Sequence, residues 1–110
     1  MSAIRFNVGK LRWNLIWWPA VEVMGWVLEM GAIKYALDNW KKGLNREEIL
    51  ESMQRHLIAL FSGQETDPES KIHHMGHIMC NAMFYLYHHM HNSFSKQRNN
   101  PFTSKTIKNK

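Results

Sequence analysis

A chain of 110 residues holds one domain, and its charge is unevenly placed: all nine acids and nine of the 14 Lys/Arg fall within residues 1–95, and the other five bases within 96–110. The folded part is therefore neutral, which argues against a basic nucleic-acid-binding face on it and leaves a modest, salt-sensitive attraction of the tail for polyanions. A hydrophobic content of 45%, with five Trp and eight Met, excludes disorder for most of the chain, and the single Cys80 excludes an internal disulfide. The first 18 residues are too polar for a signal peptide, and no apolar run reaches the roughly 18 residues of a membrane span. The expectation is a cytoplasmic protein without a membrane partner.

Residues 1–18 carry Gly9 and three Trp in an alternating pattern, which predicts an extended N-terminal arm packed on the body, with Pro19 in the first turn of a helix. Val21, Met24, Leu28, Ala32 and Tyr35 recur at helical spacing and predict a first helix over 19–37. Residues 38–45 read as a loop by composition, and Asn45 with Glu48 three places later is a capping-box signal for a second helix over 46–62, with Ile49, Met53, Leu57 and Leu60 inside and Gly63 as its stop. The linker GQETDPES leads to a third helix over 70–91, capped by Asp67 or Ser70, with Met75, Met79, Ala82 and Leu86 as its apolar stripe. No β-type alternation follows residue 19. The fold class is all-α: a bundle of three main helices over 1–95, completed by oligomerisation because several helix faces are apolar, followed by a basic tail at 96–110.

Some polar residues do not suit buried faces. His74, His77 and Asn81 follow i, i+3, i+7 spacing on the third helix, within roughly 60 degrees of one another. His56 lies on the inner face of the second helix, and Glu22 and Glu29 share a face of the first. Together with Asp67 and Glu69 in the linker, they would suit Mg²⁺ or Mn²⁺ on the carboxylates, with imidazoles nearby to bind phosphate or move protons. Lys34, Arg46 and Arg55 offer cations for phosphate, and Tyr35 and Trp40 offer π-faces for a base. Each has an ordinary alternative: solvated charges for Glu22, Glu29, Lys34 and Arg55, satisfied core histidines, and a loop anchor for Trp40. The chain lacks an H-D dipeptide, a P-loop, a G-x-S-x-G elbow and paired Cys.

The blocks GKLRWNLI (9–16), GAIKYALDNWKKG (31–43), RHLIALFSGQETDPES (55–70) and HHMGHIMCNAMFYLY (73–87) resemble a phage-encoded family of dATP/dGTP diphosphohydrolases, related to the all-α, MazG-like nucleoside triphosphate pyrophosphohydrolases. The resemblance implies an all-α homo-oligomer that hydrolyses a purine deoxynucleoside triphosphate to monophosphate and pyrophosphate with a divalent metal. The residues matching its blocks are Lys34, Tyr35, Asn39, Trp40, Arg55, His56, Asp67, Glu69, His74, His77 and Asn81. The wider MazG-like group places E-x-x-E and E-x-x-D on successive helices, whereas here Glu22 and Glu29 are seven apart and Ala36 stands where a Gly is expected.

On this reading His56, His77 and Glu69 are catalytic; Lys34, Tyr35, Asn39, Trp40, Arg55, His74 and Asn81 bind substrate; and Glu22, Glu29, Asp67 and Glu69 hold the metal. The competing reading is a phage protein that sequesters a nucleotide or a cyclic dinucleotide without cleaving it. A third is an interaction protein whose tail engages nucleic acid.

Overall fold

Three α-helices form the chain's framework: α1 (Trp18–Lys34), α2 (Arg46–Phe61) and α3 (His74–Asn92), with short 3-10 turns at Trp13–Leu15 and Asn39–Lys42. The computed structural model describes residues 9–92, so the tail at 96–110, its boundary with the domain and the first eight residues of the arm lie outside the described residues. Among those described, the only β-pairing is an isolated bridge between Thr66 and His73, and no helix is long and apolar enough to cross a membrane. The fold is all-α.

Local chemistry sets the helix ends. Pro19 sits in the first turn of α1, where its missing N–H costs nothing. The helix stops at Lys34, three residues short of the predicted end, because Asp38 adopts the left-handed region (φ 57°) and turns the chain into the second 3-10 segment. Asn45 caps α2 by accepting from the Glu47 and Glu48 amides at 2.8 and 3.4 Å, and those two acids face the positive end of the helix dipole. Gly63 (φ 91°) ends α2, as its position in the sequence predicts.

The third helix departs from expectation by starting at His74. Asp67 spends its side chain inside the preceding loop, where Oδ2 accepts from the Ser70 amide at 2.8 Å. Its own amide donates to the Ile72 carbonyl, and the His74 amide reaches back to the Glu65 carbonyl. The loop is thereby folded on itself, and neither Asp67 nor Ser70 caps α3. His73 does so instead, its Nδ1 accepting from the Met75 amide at 2.9 Å.

The central element is α3, which packs along α2 and, over a shorter stretch, against α1. Its buried face reverses the predicted one. His74, Gly76, Cys80 and Asn81 are buried, whereas Met75 and Leu86 of the expected apolar stripe are exposed. Among the described residues, the buried hydrophobic ones are Val27, Ile49 and Cys80. Many large apolar side chains stay outside, among them Trp26 and Ile33 on α1 and Phe61 on α2. From residue 9 on, the described part of the arm does not pack on the body as expected: Leu11, Trp13, Leu15 and Trp17 are exposed, and Trp13 stacks on Trp18, with ring centroids 6.3 Å apart.

Candidate functional site

Where α2 passes the start of α3, three histidines and one carboxylate converge. Helical geometry supplies His56 from the third turn of α2 and His74 with His77 from the first turn of α3, while the folded loop supplies Asp67, Ser70 and Gln64. The Nδ1 atoms of His56 and His74 lie 2.7 Å apart. The His56 ring stacks on His77, with centroids 4.5 Å apart and planes 6° from parallel. His77 Nε2 is hydrogen-bonded to Ser70 Oγ at 2.7 Å and stands 3.9 Å from Asp67 Oδ2. One ligand atom from each of His56, Asp67 and His74 falls within 4.8 Å of the other two. Among the described residues this is the one such group of three.

The hydrogen bonds fix the tautomers. Gln64 Oε1 can only accept, so His74 Nε2–H donates to it at 2.8 Å, which leaves His74 Nδ1 as an acceptor for the proton on His56 Nδ1. Burial and the neighbouring His77 and His74 hold the His56 imidazolium below its ordinary range, because a second positive charge would have no solvent to spread into. Burial likewise lowers His77, with Asp67 working in the opposite sense. For Asp67 burial acts upward, but the hydrogen bonds from Ser70 and the adjacent His77 outweigh it, and its carboxyl sits below the usual range. At neutral pH His56 and His77 are neutral imidazoles near the Asp67 carboxylate, which are the forms that bind a cation or accept a proton.

A second feature shares no lining residue with the cluster. A cavity of about 350 Å³ opens between the C-terminal half of α1 and the 3-10 turn after it, lined by Glu29, Tyr35, Asn39, Trp40 and Phe84 among others. Trp40 stacks on Phe84 at 4.8 Å and meets Tyr87 edge-on at 4.9 Å, and its carbonyl is hydrogen-bonded to His88 Nε2 at 2.9 Å. These contacts tie the turn to α3. Lys34 pairs with Glu69, which links the end of α1 beside the cavity to the loop that carries Asp67.

With this geometry in view, comparison with known proteins is specific. Residues 2–98 match the family described as dATP/dGTP diphosphohydrolase, N-terminal. The chain belongs to this family. It is also 33% identical over 87 residues to a dATP/dGTP diphosphohydrolase of Salmonella phage PMBT28, an alignment covering 79% of this chain and 30% of that protein. The chain thus spans less than a third of the length of the curated relative it matches. No solved structure matches it.

The family blocks distribute unevenly over the structure. His56, Asp67, His74 and His77 come together. Glu22 and Glu29 do not join them: both are exposed on α1, and Glu29 borders the cavity instead. Glu69 is exposed and engaged by Lys34, so its carboxylate is turned to a cation already present. Arg55 is exposed on α2 next to His56 in sequence. Asn81 is buried and donates from Nδ2 to Ser52 Oγ at 3.1 Å and to the His77 carbonyl at 3.0 Å, a tie between α3 and α2. Tyr35, Asn39 and Trp40 line the cavity.

Sequence reasoning missed Gln64 and Ser70 as partners of the histidines. Both lie in GQETDPES, which reads as a polar linker. The available signal was their placement between His56 and the H-x-x-H pair, where a short loop must pass both rings.

Proposed function

We propose that this chain carries a phosphoanhydride-cleaving site that hydrolyses a purine deoxynucleoside triphosphate between its α- and β-phosphates to the monophosphate and pyrophosphate. The observation that carries this reading is the cluster of His56, Asp67, His74 and His77, assembled from blocks belonging to a family named for dATP/dGTP diphosphohydrolysis. A divalent cation, Mg²⁺ or Mn²⁺ on the sequence reading, would supply charge neutralisation on the phosphates and lower the pKa of a water. Of the residues named for it, Asp67 has the donor chemistry and the company to hold it, joined by the imidazoles of His56 and His74.

His77 is placed to orient a water or a phosphate oxygen. Its ring is held by Ser70 at one nitrogen and by stacking on His56, so little rotational freedom is lost when it acts. Lys34, paired with Glu69 of the loop that carries Asp67, would neutralise charge on the leaving pyrophosphate once Glu69 yields it. The cavity beside Tyr35, Asn39 and Trp40 has an apolar lining suited to a base. Incubation with each of the four dNTPs and a divalent metal, followed by separation of mono-, di- and triphosphates, tests the reading; absence of monophosphate from every nucleotide would count decisively against it.

A specific observation favours a second reading, a non-catalytic nucleotide binder: only one carboxylate stands with the histidines, fewer than a multi-carboxylate metal site uses. Nucleotide binding that survives EDTA and returns the ligand intact would select it. In either reading we take the chain to act as a homo-oligomer, supported by the apolar side chains exposed on α1 and the arm.

A further inference from the structure

We infer that His56, Asp67 and His74 form a site for one transition-metal dication of the Co²⁺, Ni²⁺ or Zn²⁺ type, in preference to Mg²⁺. Three observations carry this. The three donors already stand within 4.8 Å of one another, and ligands on an ion bound at about 2.0–2.2 Å need to be about 3.0–3.5 Å apart. The closest pair, His56 Nδ1 and His74 Nδ1 at 2.7 Å, faces across a single shared proton. An ion in place of that proton needs the rings to part by only about half an ångström.

The second observation is the support around the donors. His74 is 3% exposed and gives its remaining ring N–H to Gln64 Oε1, the arrangement that fixes a ligating imidazole in one tautomer and aims its other nitrogen at the metal. Asp67 is held by the Ser70 amide through Oδ2. His56 is held by stacking on His77. None of the three would have to be reoriented from solvent.

The third is donor chemistry. Two imidazole nitrogens and one carboxylate oxygen favour borderline transition metals, whereas Mg²⁺ prefers oxygen donors and retains its waters. Glu22, Glu29 and Glu69, which would harden the site, lie outside the group. The three protein ligands leave further positions open, as a site that must admit water or a phosphate oxygen requires. The inference depends on the proposed hydrolysis only for the use of the ion and not for its binding.

The test uses the untagged full chain, stripped with chelator, and no nucleotide. Titration with Co²⁺ is followed by visible absorption and calorimetry, and repeated with Zn²⁺ and with Mg²⁺. The expected result is one Co²⁺ or Zn²⁺ per chain, not displaced by a hundredfold excess of Mg²⁺. Asp67→Asn keeps an acceptor for the Ser70 amide and His56→Gln keeps a polar group of similar reach, so both should fold, as circular dichroism will show, while Co²⁺ affinity falls tenfold or more. His91→Gln, which alters an exposed imidazole near the far end of α3, should bind as the parent does. Lack of Co²⁺ and Zn²⁺ binding, or binding undiminished in folded Asp67→Asn and His56→Gln, overturns the site. Because binding is read without nucleotide, a failure to hydrolyse dNTPs leaves it standing, and turnover with Mg²⁺ in protein that binds no Co²⁺ or Zn²⁺ overturns it alone.

Discussion

Gly76 on α3 and Val23 on α1 approach so closely that a Cβ at residue 76 would lie 2.7 Å from Val23 Cγ1 and 3.4 Å from the Val23 carbonyl oxygen. Carbon atoms in favourable contact stand about 3.5–4.0 Å apart, so only glycine permits this helix spacing. Gly76 lies between His74 and His77. The contact that seats α3 on α1 therefore also fixes the turn carrying two of the three clustered imidazoles.

Gly76→Ala should destabilise the domain despite gaining helix propensity. The gain is about 1 kcal/mol, while forcing a methyl into a packed contact costs about 1–3 kcal/mol, and the rigid β-branched Val23 cannot swing away easily. A net loss near 1 kcal/mol lowers Tm by roughly 4–8 °C. Combining it with Val23→Ala removes the opposing methyl, so the double variant should be more stable than additivity of the two single changes predicts. Thermal denaturation of the four proteins checks this.

Much of the fold was legible because helix starts and stops are local. Asn45 and Gly63 act through atoms within four residues, and the sequence places both ends of α2 within a residue. The start of α3 was not legible, since Asp67 and Ser70 carry the same chemistry whether they cap a helix or close a loop, and the Ile72 carbonyl decides between these. The inside and outside of α3 were misread for a related reason. Hydrophobicity predicts burial of Met75 and Leu86, but His74 and Asn81 have hydrogen-bond partners in Gln64 and Ser52, and a satisfied polar group is no longer costly to bury. The histidine and Asp67 parts of the candidate site were visible as spacing; the separation of Glu22 and Glu29 from them depends on helix rotation, which spacing within one helix does not report.

Cys80 should be unreactive in the native state. It is 1% exposed, its Sγ donates to the Met24 carbonyl at 3.2 Å, and burial pushes its thiol up to about 12, so almost no thiolate exists at pH 8. Labelling with a disulfide reagent should be at least a hundredfold slower than for free cysteine and recover in denaturant. Prompt native labelling would show that α1 and α3 separate readily.

Asn81→Ala should act on stability rather than on ligand. It removes the link to Ser52 and leaves that hydroxyl near an apolar methyl, a loss of about 1–3 kcal/mol by chemical denaturation. Ser52→Ala should cost less, since Asn81 retains the His77 carbonyl. A double-mutant cycle should give a coupling of about 0.5–1 kcal/mol, and metal or nucleotide affinity of the folded fraction should not change.

The exposed apolar residues of α1 should be covered by a second copy. Trp26 and Ile33 are 51% and 85% exposed on a helix that packs against α3 over a short stretch. Sedimentation at micromolar concentration is expected to give a dimer or larger species, and Trp26→Lys with Ile33→Lys to shift it toward monomer by introducing unpaired charge into the contact. A parent protein that sediments as a monomer would remove this reading.

The sharpest separation of roles is between His77 and Glu22. His77 stands beside the metal-competent group without belonging to it, 2.7 Å from Ser70 Oγ and stacked on His56. Its replacement by Ala should therefore lower dNTP turnover tenfold or more, as for a lost proton-transfer or water-orienting group, while the affinity for Co²⁺ falls less than in Asp67→Asn, because His77 only steadies the His56 ring. Glu22 is exposed on α1 and outside the group, so Glu22→Gln should leave turnover, metal affinity and Tm all close to the parent. The measurements are kcat and KM for dGTP and dATP, a Co²⁺ titration and a melting curve on each variant. A loss of Co²⁺ affinity in His77→Ala as large as that in Asp67→Asn would make His77 a ligand in place of one of the three assigned here. Loss of activity in Glu22→Gln would bring α1 back into the site, and with the side chain exposed in a single chain, the carboxylate would then have to act across the boundary between two copies.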